Sequence, residues 1–262
     1  MQLRYSLADL KQEGYFEVLR RQDVACTAHI HYSMEYLYVT AGSVILTTGD
    51  GERTVRQGEG TFLTSWQNHA YRTPGHSQAV ILLFSPRLTP RFAARLRAFR
   101  PQREVVRPAA DLMAWLLARL PAGEEADGPD DPIAGKALLY PLCADFLRDN
   151  PLTVRPPRRE EMMQCALQYL GEHAGEPLTL TGTARQLGVN PAYLSQAFTA
   201  FTGMRFTECL NTFRVMRACD LLRETDLPVS AVAFEAGFGS LRTFNRVFME
   251  KTGDTPRRFR GS

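Results

Sequence analysis

Between residues 15 and 85, apolar residues either fall in short runs or alternate with polar ones, as at 35–40, 43–48 and 79–84. Turn-forming groups separate the runs: Ala41-Gly42, Gly49-Asp50-Gly51, Gly58-Glu59-Gly60 and Thr73-Pro74-Gly75. Short strands at this even spacing predict a small antiparallel sandwich or barrel. The period then lengthens. Residues 90–100, 109–120 and 132–149 carry apolar positions at helical spacing, with an acidic Pro/Gly loop at 121–131 before the last of them. Leu112, Trp115, Leu116, Arg119 and Leu120 make an amphipathic stripe suited to packing on the barrel or on a second chain. Residues 150–159, NPLTVRPPRR, cannot propagate a helix and read as a linker.

Beyond the linker the pattern is helical and repeats itself. The first copy, residues 184–203, reads ARQLGVNPAYLSQAFTAFTG; the second, 233–253, reads AFEAGFGSLRTFNRVFMEKTG. Each places an alanine, Ala184 or Ala233, four residues before a glycine, Gly188 or Gly237, and then opens a helix behind a polar cap, Asn190 or Ser240. A small residue at a close helix crossing, a glycine for positive φ and a capped second helix are the parts of a helix-turn-helix. Pro191 suits the first helical position. Leu194 and Phe198, like Phe244 and Phe248, lie four apart and face the core. The opposite faces then expose Ala192, Ser195, Gln196 and Thr199 in the first helix, and Arg242, Asn245 and Arg246 in the second. Arg can bond guanine O6 and N7 together, and Gln or Asn adenine N6 and N7, so these faces suit base edges of double-stranded DNA. One such unit would equally be a helical hairpin with a polar face; two in tandem, joined by a long helix over 205–223, are hard to explain as packing alone.

The chain from about residue 167 to 260 resembles the AraC/XylS family of bacterial transcription regulators. The resemblance rests on the repeat, on Arg214-x-x-x-Ala218-x-x-Leu221-Leu222, on Val229-x-x-Val232-Ala233-x-x-x-Gly237-Phe238, and on Gly253-Asp254-Thr255-Pro256-x-x-Phe259-Arg260. It implies two modules whose recognition helices enter successive major-groove segments of one operator. Two positions depart from the family pattern: Gln196 stands where Arg is frequent, and Thr183 where Leu commonly precedes the alanine. Most base specificity is therefore expected from the second module.

Composition changes this picture little. The chain has 262 residues, 23% charged, with a formal net charge of +3, and its five cysteines are scattered without a C-x-x-C pair. That excludes a disordered chain and disfavours a disulfide framework or zinc finger, and the absence of an apolar leader or span leads to an expected cytoplasmic location without a membrane partner.

The remaining chemistry lies in the first half. His29-Ile30-His31-Tyr32-Ser33-Met34-Glu35, followed by Gly42, reads H-x-H-x3-E-x6-G, with Gly58 and His69 further on. This looks like the paired motifs of the cupin barrel, where the matching His, His, Glu and His are metal ligands; the second motif lacks its usual Pro and Gly, having Ser65-Trp66-Gln67-Asn68 before His69. His29, His31, Glu35 and His69 are thus either ligands of a divalent metal, a metal-free polar pocket for an organic effector, or internally bonded core groups. Tyr36, Tyr38, Phe62, Trp66 and Tyr71 would stack on an effector or fill the core.

The expected fold class is α+β multidomain: a cupin-like antiparallel β-barrel with following helices, then an all-α domain of two helix-turn-helix motifs joined by a long helix. The expected domains are a sensing barrel at 1–88, a helical segment suited to dimerisation at 89–150, the linker at 151–159 and the DNA-binding domain at 160–262. Expected partners are operator DNA, a small-molecule effector, a second copy of the chain and, for an activator, RNA polymerase. No cofactor is fixed beyond the divalent-metal reading. The competing class is a metal-dependent cupin enzyme carrying a DNA-targeting domain, against which stands the lack of any further acid, base or oxyanion constellation near those residues.

Overall fold

The computed structural model describes residues 15–129, 131–148, 150–153 and 159–260. The chain divides into two compact units at the 156/157 boundary.

The first unit is a curled antiparallel sheet with helices against one face. Its strands are β1 (Phe16–Gln22), β2 (Cys26–His29), β3 (Met34–Thr48), β4 (Gly51–Arg56), β5 (Gly60–Leu63), β6 (His69–Arg72) and β7 (Ser77–Phe84). After a 3-10 turn at Pro86–Leu88 come α1 (Pro90–Ala98), β8 (Arg100–Pro101), β9 (Val105–Val106), α2 (Ala110–Leu117), β10 (Glu125–Asp127), α3 (Pro132–Arg148) and β11 (Leu152–Thr153). One path of the sheet runs β10-β1-β7-β3-β5-β9, while β4 and β6 also pair with β3, and β2 pairs with β6.

The long strand β3 corrects one expectation. Ala41-Gly42 has the residues of a turn between two short strands, whereas β3 runs through it for 15 residues with a register shift between Val39 and Ala41. This bulge lets the first half of β3 pair with β5 and its second half with β4 and β6, which curls the sheet. Gly42 has φ +69, and a Cβ there would lie 1.9 Å from the His76 carbonyl oxygen, so only glycine fits. Two further expectations change. The acidic loop contributes β10 to the edge of β1, and Leu152 and Thr153 of the expected linker pair with β8. Residues 154–158 of that linker lie outside the described residues.

Alternation along the strands separates two apolar layers. Met34, Tyr36, Phe62, Val80, Leu82 and Phe84 face the helices and pack with Phe92, Met113, Leu116, Leu139 and Phe146. The stripe on α2 belongs to this layer: Leu116 and Leu120 are buried and Leu112 and Trp115 pack against them. On the opposite side Leu37, Val39, Val44, Leu46, Val55, Leu63, Tyr71 and Ile81 fill the concave interior.

The second unit is helical: α4 (Arg159–Glu172), α5 (Leu180–Gln186), α6 (Pro191–Thr202), α7 (Phe206–Glu224), α8 (Val229–Glu235), α9 (Leu241–Thr252) and α10 (Pro256–Arg260). Val215, Ala218, Cys219 and Leu222 of α7 pack with Val232, Ala233, Phe238, Phe244 and Phe248. Among the described residues no helix is long and apolar enough to cross a membrane.

Candidate functional site: a histidine cluster and two recognition helices

His29 closes β2 and His69 opens β6, and the strand pairing sets them opposite one another. His31 follows in the connection to β3, and Glu35 is the second residue of β3. Glu35 therefore shares a face with Leu37 and Val39, the concave side. A ring nitrogen from each of His29, His31 and His69 lies within 4.8 Å of the other two. Glu35 Oε2 stands 3.1 Å from His31 Nε2 and 3.3 Å from His69 Nε2. His31, Glu35 and His69 are buried, and His29 is half-buried.

Backbone carbonyls determine which nitrogen each ring offers. Nδ1 of His29 lies 3.0 Å from the Thr27 oxygen, Nδ1 of His31 2.9 Å from that of Ser33, and Nδ1 of His69 2.8 Å from that of Gln67. A carbonyl only accepts, so each Nδ1 carries the hydrogen and Nε2 is the nitrogen each ring has left for a ligand. By the same rule His31 Nε2, 3.1 Å from Glu35 Oε2, is placed to donate to the carboxylate and offers a lone pair only once that hydrogen leaves. His69 Nε2 is buried without a hydrogen bond. Burial opposes ionisation of Glu35, but the neighbouring His69 and His31 outweigh it and hold the carboxyl below its usual range. Burial, with His69 and His31 close by, pushes His29 down to about 4. With the rings deprotonated at Nε2, three imidazoles and one carboxylate converge on a buried point, a donor set that suits a divalent cation. The residues present fit a divalent metal.

The support around this set is only partly legible in the sequence. Tyr71, expected as a stacking or core ring, uses its hydroxyl to donate to Glu35 Oε1. The available signal is spacing: Tyr71 is two residues from His69 on β6 and shares its face. The 64–68 loop presents the Gln67 carbonyl: Thr64 N donates to Gln67 Oε1 at 3.0 Å, and Gln67 N to the Thr64 carbonyl at 3.0 Å. Trp66, at φ +64, donates its N–H to the His31 carbonyl and packs its ring against Tyr32. Tyr36 and Phe62 belong to the helix-facing layer, their rings 4.6 Å apart, and Tyr38 packs beside them. These three rings are not beside the histidines.

In the second unit the two copies match bond for bond. Val189 N donates to the Ala184 carbonyl at 2.9 Å and Phe238 N to the Ala233 carbonyl at 3.0 Å, across Gly188 and Gly237 at φ +67 and +90. At the caps Asn190 Oδ1 accepts from Tyr193 N at 3.4 Å, as Ser240 Oγ does from Thr243 N at 3.3 Å, and Asn190 also accepts from Ala192 N at 2.8 Å. Thr202 and Thr252 return their hydroxyls to Phe198 and Phe248, and Gly203 and Gly253 end the helices in the left-handed region. Leu194, Phe198, Phe244 and Phe248 are fully buried. Ala192, Ser195, Gln196, Thr199, Arg242, Asn245 and Arg246 are all exposed. Arg246 reaches Glu250 at 3.3 Å, while Arg242 has no partner among the described residues. The exposed face of α6 carries no charged side chain; α9 carries Arg242, Arg246, Glu250 and Lys251.

A helix-turn-helix domain model matches residues 183–262 and a cupin domain model residues 16–85. The activator RhaS of Citrobacter koseri is 24% identical over 242 residues, 88% of this chain and 86% of that protein. The regulatory protein SoxS of Salmonella typhimurium is 29% identical over 101 residues, 38% of this chain and 94% of that protein. YfiF of Bacillus subtilis, an uncharacterised transcriptional regulator, is 27% identical over 157 residues, and the chain spans 49% of its length. The chain belongs to the AraC/XylS family of transcription regulators, with a cupin domain ahead of a helix-turn-helix DNA-binding domain.

Proposed function

We propose that the cupin domain of this regulator holds a divalent transition metal through His29, His31, Glu35 and His69, and that occupancy of this site changes operator binding. The supporting observation is the convergence of three imidazole nitrogens and one carboxylate oxygen, with every Nδ1 committed to a carbonyl. The concave interior beneath is packed with apolar side chains, which suits an ion at its rim better than a bulky organic effector inside. A bound metal would supply positive charge and open coordination positions at which a small effector can bind. Regulation requires that metal or effector differ in affinity for two states of the protein.

In the DNA-binding domain Ala192, Ser195, Gln196 and Thr199 face one groove segment, and Arg242, Asn245 and Arg246 the next. The 19-residue helix between the modules spans about 28 Å, commensurate with one DNA turn. The uncharged face of α6 leaves guanine reading and phosphate attraction to the second module. The regulator acts in the cytoplasm, where its operator lies. RNA polymerase is its partner if it activates. A second copy of the chain would cover Ile133 and Tyr140, the exposed large apolar residues of α3. Selection of binding sites from random duplex DNA, with and without added metal, tests this function: two read segments one turn apart support it, and no enriched sequence under any metal condition contradicts it.

A further inference from the structure

The first unit carries a strongly one-signed segment that the sensing role does not use. Residues 87–107 hold seven arginines against one glutamate, Glu104, a net +6 in a chain whose total is +3. Most of these charges are locally answered: Arg100 pairs with Asp50, Arg107 with Glu59 and Glu104 with Arg53, and Arg87, Arg97 and Arg103 each have an interaction of their own. Arg91 and Arg95 are different. Both are exposed on α1, four residues apart, and neither has an ion-pair or hydrogen-bond partner among the described residues. Arg87 lies a further four residues back, on the 3-10 turn.

This placement is locally unfavourable. Like charges at i and i+4 repel, and Arg91 sits in the first helical turn, where the helix dipole disfavours a cation and where α1 has no acidic residue. Nothing in the packing requires it, because α1 is anchored by Phe92 and Leu96 on its other face. Those anchors also argue against a membrane surface, since the large apolar side chains of the helix are buried rather than presented beside the arginines.

We propose that the Arg91–Arg95 ridge of α1 binds the phosphate backbone of double-stranded DNA flanking the operator. The proposal rests on the DNA-binding role of the second unit, which tethers the ridge near a polyanion at high effective concentration. Phosphate binding of this kind adds affinity and salt dependence without reading sequence.

The test uses the full-length protein and its selected operator, extended by duplex on both sides, with Kd measured across a salt series. The double variant Arg91→Gln/Arg95→Gln should lower the slope of log Kd against log salt by about 1.8, at about 0.9 for each phosphate no longer neutralised. Base preference should be unchanged, and Arg91→Lys/Arg95→Lys should keep most of the slope. A wild-type slope and Kd in the Gln variant, with its melting curve intact, overturns the proposal. So does loss of transcription in that variant with operator affinity intact, which would assign the ridge to an acidic protein, and so does retained DNA binding with loss of binding to vesicles of anionic phospholipid. Failure of the wild-type protein to bind any DNA would instead sink the operator reading itself.

Discussion

Tyr71 donates its hydroxyl to Oε1 of Glu35, which leaves Oε2 as the oxygen facing His31 and His69. The bond fixes the rotation of the one carboxylate in the cluster, at a position where three imidazole rings already have their orientation set by carbonyls. Tyr71→Phe should therefore weaken metal binding about tenfold, the lower end of what loss of an outer hydrogen bond to a ligand produces. Isothermal titration with zinc or manganese measures this; an unchanged affinity would show that the carboxylate needs no such support.

Replacing a ligand should do more. His69→Ala removes the buried nitrogen that has no other bond, and the purified variant should contain well under half the metal per chain of the wild type when grown in the same medium. Elemental analysis decides it. Equal metal content in both would place the metal elsewhere.

The two helix-turn-helix turns should respond unequally to the same change. A Cβ at Gly237 would lie 2.4 Å from the Ala174 carbonyl oxygen, whereas at Gly188 nothing lies within 4 Å. Gly188→Ala carries only the cost of positive φ, about 1 kcal/mol, and Gly237→Ala should cost more than about 2 kcal/mol. Denaturant melts of the two variants check the order; equal losses would mean that the Ala174 segment yields freely.

Thr183 is fully buried and its hydroxyl has no partner. Thr183→Val keeps the shape and removes the unmet polar group, so it should stabilise the protein by about 1 kcal/mol. A lower midpoint in denaturant would indicate that a solvent molecule satisfies this hydroxyl.

On the DNA side, Arg242→Ala should cost about 1–3 kcal/mol and relax preference at one base pair, while Gln196→Ala should cost less. Repeating the site selection with each variant separates them. An unchanged preference in Arg242→Ala would move guanine reading to another residue.

Local rules make the second unit legible because its information is local. Asn190, Pro191, Ser240 and the glycines each act within a few residues, and the period of 3.6 assigns Leu194 and Phe248 to the core without knowledge of the fold. The His and Glu spacing of the first unit is equally readable. What the sequence conceals depends on pairing at a distance. Ala41-Gly42 has the composition of a turn, but the approach of the His76 carbonyl makes it a bulge within one long strand. Glu125–Asp127 has no apolar alternation to mark it, and it is a strand only because the edge of β1 is open to it. Tyr71 reads as core because a hydroxyl's partner, 36 residues away, is invisible in the run that contains it.

If metal at the histidine cluster governs operator binding, metal-free and metal-loaded protein must differ in Kd for the selected operator at one salt concentration. The expected difference is at least about fivefold, the lower end of typical coupling between sites, and it should disappear in His69→Ala. The same Kd in both states, with metal shown to be bound, would contradict regulation through this cluster.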